Sequence, residues 1–295
     1  ITAGFVHGHG ILRTPALVAG EAGSEAALLL AWTAGGLLSI IGALCYAELA
    51  STYPSMGGDY HFLHRAYGPR VAFLYGWARL AVIQTGSIAL LAYVFGDYLA
   101  AVFPIGRQSS AIYAAAAVIL IGALNWLGIR QGVLAQRWLT VAEVGGLLLI
   151  VIAGLVLAPA AQPSAPPQRE GAIGLMMVFV VLTYGGWSET VYVSAELKDG
   201  PRRLARIMVA GLGPVTLLYM LANLAFLRAL GLAGMAASDA VAAEVMRRAT
   251  GESGAVVISL LVSIAALTSA NATVITGAGT NCALGRSFPA LRWLG

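Results

Sequence analysis

The chain has 295 residues, 59% of them apolar and 10% charged, with a formal net charge of +4 and a mean hydropathy of +0.83. That composition excludes an ordinary water-soluble domain, in which about 25% of residues are charged. The positive charge is no nucleic-acid signal, because the arginines lie between long uncharged runs, where they set membrane orientation; no nucleic-acid partner is expected.

No charged residue occurs between Glu25 and Glu48, Arg107 and Arg130, Arg206 and Arg228, or Glu252 and Arg286. Each run can cross the roughly 30 Å hydrocarbon layer, which takes about 20 helical residues. Lipid offers backbone groups no partners, so a spanning chain is helical or a closed barrel, and these runs lack barrel alternation. The prediction is an all-α polytopic protein, multi-pass in the inner or plasma membrane, with the bilayer as its partner. Hydropathy places about eight spans at residues 1–20, 25–47, 71–101, 110–127, 137–158, 172–195, 207–228 and 253–281.

In chain order, span one carries His7-Gly8-His9-Gly10-Ile11. The chain opens at Ile1 without an initiator Met and ends just after a charged-loop pattern. Both ends are therefore expected to be cut, the first span incomplete, and no cleavable signal peptide present. Cys45 in span two and Cys282 at the end of span eight read as small buried apolar residues, not a disulfide framework. Glu48 with Tyr53 is expected to end span two and order the loop that follows. Residues 51–69 carry Pro54, Gly57, Gly58, Gly68 and Pro69, and read as a mobile or partly helical cytoplasmic loop. Within it, His61 and His64 have metal-compatible helical spacing but no further ligand at matching spacing, so no metal site is expected. Arg79 and Asp97, near opposite ends of span three, are expected to snorkel toward the two interfaces.

Span five holds Glu143, and an intramembrane carboxylate is costly enough to suggest function. Three readings stand: a protonatable coupling group, a cation ligand, or an acid near the helix start paired with Arg137. Pro159, Pro163, Pro166 and Pro167 then bar a continuous helix. They divide the chain into residues 1–158 with spans one to five, an external loop at 159–171, and residues 172–295 with spans six to eight. Span six contains Thr183-Tyr184-Gly185-Gly186-Trp187-Ser188-Glu189. After span seven, Ser238-Asp239 is expected to cap a surface helix over residues 240–249. Ser263, Thr268, Ser269 and Asn271 in span eight face a substrate or bond their own helix backbone. With the N-terminus inside, ten Lys and Arg fall in cytoplasmic connections and five in outer ones, which supports that orientation.

The glycine-rich interruptions in spans one and six carry the most chemistry. Non-helical backbone at membrane depth survives where it is buried in protein or lines a cavity, and half-helix ends there present free amides and carbonyls. Amides favour a carboxylate and carbonyls an ammonium group, so the pair suits a zwitterionic amino acid. Two such interruptions at matching places in two halves point to a transporter site. Close helix packing is the alternative use of the same glycines.

These residues resemble the amino acid–polyamine–organocation permeases, most closely the branch of heteromeric amino-acid transporter light chains and their bacterial relatives. The resemblance runs through Gly8-His9-Gly10-Ile11-Leu12-Arg13-Thr14-Pro15, Gly42-Ala43-Leu44-Cys45-Tyr46-Ala47-Glu48-Leu49, Tyr53-Pro54, and Gly57-Gly58-Asp59-Tyr60. It continues through Phe73-Leu74-Tyr75-Gly76-Trp77, Thr183-Tyr184-Gly185-Gly186-Trp187, and Glu196-Leu197-Lys198-Asp199. It implies the leucine-transporter fold, an inverted five-helix repeat truncated here to about eight helices, with helices one and six broken. It implies that the backbone at Gly8, His9, Gly10 and Ile11 takes a substrate carboxylate, and that at Leu182, Thr183, Tyr184, Gly185 and Gly186 the amino group. Side chains of spans three, six and eight would shape the rest of the pocket. His9 stands where the family usually has Ser or Thr, and His7 where it has an apolar residue. Leu182 stands where several relatives have a gating aromatic, Glu143 where many have Lys, and Gly279 and Ala205 where Arg and Pro are usual.

The expected function is secondary active amino-acid transport, by symport or exchange, with proton coupling through Glu143 as one form. No His-Glu-x-x-His, Gly-x-Ser-x-Gly or phosphate-loop pattern occurs, so no enzyme and no cofactor are expected. The alternative is a non-transporting membrane receptor or sensor, or an inactive fragment of a permease. The loop at residues 103–109 lacks Cys, so no disulfide-linked glycoprotein subunit is expected.

Overall fold

A computed structural model describes residues 10–55, 57–127, 133–161, 171–188, 200–288 and 291–292. Gly8 and His9 of the expected site, His7, and Pro163, Pro166 and Pro167 lie outside the described residues, as does the side chain of Arg137. Among the described residues all regular structure is helical: α1 Gly10–Glu21, α2 Glu25–Thr52, α3 Asp59–Tyr67, α4 Pro69–Val102, α5 Ser109–Trp126, α6 Val133–Ile152, α7 Ile173–Tyr184, α8 Gly200–Ala236, α9 Val241–Thr250 and α10 Glu252–Ser287.

Among the described residues five stretches are long and apolar enough to cross a membrane: α2, α4, α5, Ala205–Ala236 of α8, and Glu252–Gly277 of α10. Two shorter apolar helices, Val141–Leu157 and Ile173–Tyr184, fall on predicted spans five and six, and α1 falls on span one. Leu30, Leu37, Leu74 and Ile119 are exposed on spans two to four. Apolar side chains exposed in this way suit a hydrocarbon solvent. Cys45 is exposed on α2, contrary to the buried placement expected, and both Cys45 and Cys282 are free thiols.

Ser24 starts α2 by accepting the amide of Ala27 with its hydroxyl. At its other end Ser51 and Thr52 bond back to the carbonyl of Glu48, and Arg65 lies over the Tyr53 ring, 4.3 Å from its centre. The loop expected after span two is partly helical, with α3 over Asp59–Tyr67. α4 widens into a π turn at Arg79–Ile83, and α6 runs on into another at Ala153–Leu157; such widenings interrupt regular i→i−4 bonding and recur at functional places. Gly231, with φ of 68°, kinks α8 near its end. The surface helix expected after span seven is α9, but its N-cap is Ala240, without a side-chain cap. Its Val241, Val245 and Met246 are buried, while Arg247 pairs with Glu244 and Glu252.

Packing gathers α1, α2, α7 and α8 into one group and α4, α5 and α10 into another. α6 touches α8 and α10, and so borders both groups. Small residues permit the closest approaches: a methyl on Gly35 or Gly36 of α2 would strike Val180 or Thr216.

Candidate functional site

The start of α1 and the end of α7 meet. A Cβ on Gly10 would stand 2.9 Å from Thr183 Cγ2 and 3.4 Å from Thr183 Cα, so the approach requires glycine. Ile11 beside it is fully buried. α7 stops at Tyr184 because Gly185 leaves helical geometry, with ψ of 176°, and Gly186 turns the chain at a φ of 92°, a conformation that favours glycine. The amide of Gly185 donates to the carbonyl of Leu182 at 3.1 Å. The Thr183 hydroxyl bonds the carbonyl of Phe179 and is therefore committed to its own helix.

Gly10, Ile11, Thr183, Tyr184 and Gly185 are thus gathered around one helix-end junction. The Leu182 side chain is not among them: it is 65% exposed and lines a shallow apolar groove with Leu38 and Val178. Tyr184 is wholly buried, edge-on to Trp32 at 5.8 Å and tilted against Tyr219 at 5.2 Å, and Trp32 also meets Tyr219 edge-on at 5.9 Å. This triad holds the last residue of α7 against α2 and α8. Beyond the turn Trp187 packs on Gly42 and, edge-on at 5.2 Å, on Tyr46. Trp32 and Tyr219 escape sequence reading, since single aromatics in apolar spans carry no spacing signal.

The electrostatics follow from the two helix ends. An N-terminus carries about half a positive charge and unbonded amides, a C-terminus about half a negative charge and unbonded carbonyls. Gly10 thus lies against the C-terminal turn of α7, where the last carbonyls have no partner further along the helix.

Two polar contacts tie this junction to α4. Arg13 pairs with Asp97 at 2.5 Å, and the buried Tyr98 hydroxyl donates to the carbonyl of Leu12 at 3.0 Å. The Ser110 hydroxyl of α5 donates to the second oxygen of Asp97. Asp97 therefore does not snorkel: its partner arrives from α1, on a different part of the chain. Arg79 departs from expectation as well, being 5% exposed. The Tyr75 hydroxyl donates to Asp59 at 2.7 Å and accepts from Arg79 at 3.3 Å, and Arg79 lies 4.0 Å from Asp59. α3 folds back to deliver that carboxylate, so the guanidinium is neutralised inside the protein.

In α10, Ser263 and Thr268 bond carbonyls of their own helix, whereas Asn271 accepts from Asn125 of α5 at 2.7 Å. Gln84, just after the first π turn, donates to the carbonyl of Thr273. Glu143 lies apart from the helix-end junction, on the wall of a separate apolar cavity with Leu12, Leu147, Tyr219 and Leu261. Among the described residues no three His, Cys, Asp or Glu side chains gather as metal ligands.

A family model described as amino acid permease matches residues 1–289. The chain is 31% identical over 287 residues to the b(0,+)-type amino acid transporter 1 of Homo sapiens, a match covering 94% of the chain and 59% of that relative. It is 32% identical over 258 residues to the large neutral amino acids transporter small subunit 2 of Homo sapiens, covering 82% and 48% respectively. The chain therefore spans about half to three-fifths of the length of these curated relatives.

Proposed function

The chain belongs to the amino acid permease family, and from that premise we propose that it is the part of a secondary active amino-acid transporter that holds the substrate by its carboxylate and amino groups. The observation that supports this reading is the abutment of Gly10 on Thr183 at the C-terminal turn of α7, next in sequence to the Gly8-His9-Gly10 interruption. Gly8, His9, Gly10 and Ile11 take the carboxylate, and the backbone of Leu182, Thr183, Tyr184, Gly185 and Gly186 takes the ammonium group. Helices one and six of an inverted five-helix repeat are the broken elements that expose this backbone. The two packed groups rock against each other to open the site to either side. Relatives named for transporting amino acids support the substrate class.

Radiolabelled amino-acid uptake into proteoliposomes tests the reading. Saturable uptake or exchange, competed by other α-amino acids but not by amines or carboxylic acids alone, is the expected result. A protein that binds amino acids without moving them is a receptor instead.

A further inference from the structure

We propose that α3 is a latch beyond the break in α7: it travels with the α4–α10 group and seals against Tyr46 of α2. The proposal rests on the reading that the two packed groups rock, and it names the element that opens and closes between them. α3 has only nine residues, yet its side chains reach both groups.

The hold on the α4–α10 group is buried. Asp59 meets Tyr75 at 2.7 Å and Arg79 at 4.0 Å, both on α4. Tyr60 is buried with Ala72 of α4 and Leu284 of α10. A Cβ on Gly76 of α4 would stand 2.9 Å from Leu284 and 3.3 Å from Tyr60, so the three helices are packed without spare room. Phe288, just past α10, meets Phe73 of α4 at 4.9 Å.

The hold on α2 is lighter. Phe62 is edge-on to Tyr46 at 6.4 Å, and the exposed Arg65 lies over Tyr53. Tyr46 also faces Asp59. A buried ion pair and a packed aromatic cluster part less readily than one edge-on ring contact and one exposed cation over a ring. When the groups separate, α3 therefore stays with α4 and leaves α2. Gly58, at a φ of 48°, lies between α2 and α3 and supplies a backbone pivot.

The seal is continuous with the candidate site. Trp187 directly follows the Gly185-Gly186 turn and meets Tyr46 edge-on at 5.2 Å. Trp187, Tyr46 and Phe62 thus form a row of rings from the broken end of α7 to α3. Parting Phe62 from Tyr46 opens that row.

Electron paramagnetic resonance distances between spin labels, measured on the purified protein in detergent with and without L-leucine, test the proposal. Three pairs of exposed positions are labelled, all with Cys282→Ser. They are the native Cys45 of α2 with Ala66→Cys of α3, Cys45 with Arg286→Cys of α10, and Ala66→Cys with Arg286→Cys in a Cys45→Ser chain. The two pairs that include Cys45 are expected to show two distances each, and the third pair one. Phe62→Ala is expected to raise the share of the longer distance in the Cys45 pairs at least twofold. Two distances between Cys45 and Arg286 with only one between Cys45 and Ala66 overturns the latch but not the rocking, because α3 then travels with α2. Two distances between Ala66 and Arg286 likewise overturns it. One distance in all three pairs overturns latch and rocking together. An unchanged share in Phe62→Ala removes the seal, and if that variant does not fold, the three pairs with Phe62 intact still decide.

Discussion

At the residue scale, the junction depends on a missing side chain. Gly10→Val would drive its methyl groups into Thr183, whose own backbone lies only 3.4 Å from the first added carbon. We expect more than tenfold loss of amino-acid uptake in this variant, and a smaller loss in Gly10→Ala, where only the Thr183 methyl must yield. Equal uptake by Gly10→Val and wild type would show that the helix ends are not the binding site. Glu143 is the second informative residue, since it lies on the cavity wall away from Gly10 and Thr183. If its carboxyl couples proton binding to transport, Glu143→Gln flattens the pH profile of uptake; an unchanged profile removes it from the coupling path. Both positions stand out in the sequence, one as a glycine in a motif and the other as an acid in an apolar span. What each touches does not, because Thr183 and Tyr219 are remote along the chain.

At the element scale, the short helix α3 matters out of proportion to its length. It carries Asp59 to the buried Arg79 of α4, with the Tyr75 hydroxyl between them. Breaking a buried ion pair costs about 3–5 kcal/mol, whereas losing a neutral hydrogen bond costs about 1 kcal/mol. Asp59→Ala should therefore lower the thermal unfolding temperature in detergent much more than Tyr75→Phe. Similar shifts in the two variants would mean that Asp59 does not neutralise Arg79. Sequence reading sends Arg79 to the interface because snorkelling is the default for a lone intramembrane arginine. It has no means to see that a loop helix returns with a carboxylate.

At the scale of the whole molecule, two packed groups meet at α6 and at the Arg13–Asp97 and Tyr98–Leu12 contacts. A rocking cycle requires the second set of contacts to break and re-form. In a background with Cys45→Ser and Cys282→Ser, the pair Arg13→Cys and Asp97→Cys joined through disulfides by a bifunctional methanethiosulfonate should stop uptake, and reduction should restore it. The pair Thr33→Cys and Met220→Cys lies within one group, where the native side chains touch at 3.5 Å, so cross-linking it should leave uptake intact. Uptake that survives the first cross-link would rule out rocking at this contact.

By itself the sequence determined that the chain is a membrane protein, where most spans lie, and that α7 ends at Gly185-Gly186. Hydropathy and glycine chemistry are local properties, so span length and helix termination are legible without neighbours. Only tertiary structure decided that Gly10 closes on Thr183, that Leu182 turns its side chain to a shallow apolar groove, and that Arg79 and Asp97 are paired within the protein. Each of these depends on which remote helix packs alongside, and that is set by the shapes of many apolar faces at once. In spans that are hydrophobic on every side, the sequence pattern alone does not say which face meets lipid and which meets protein.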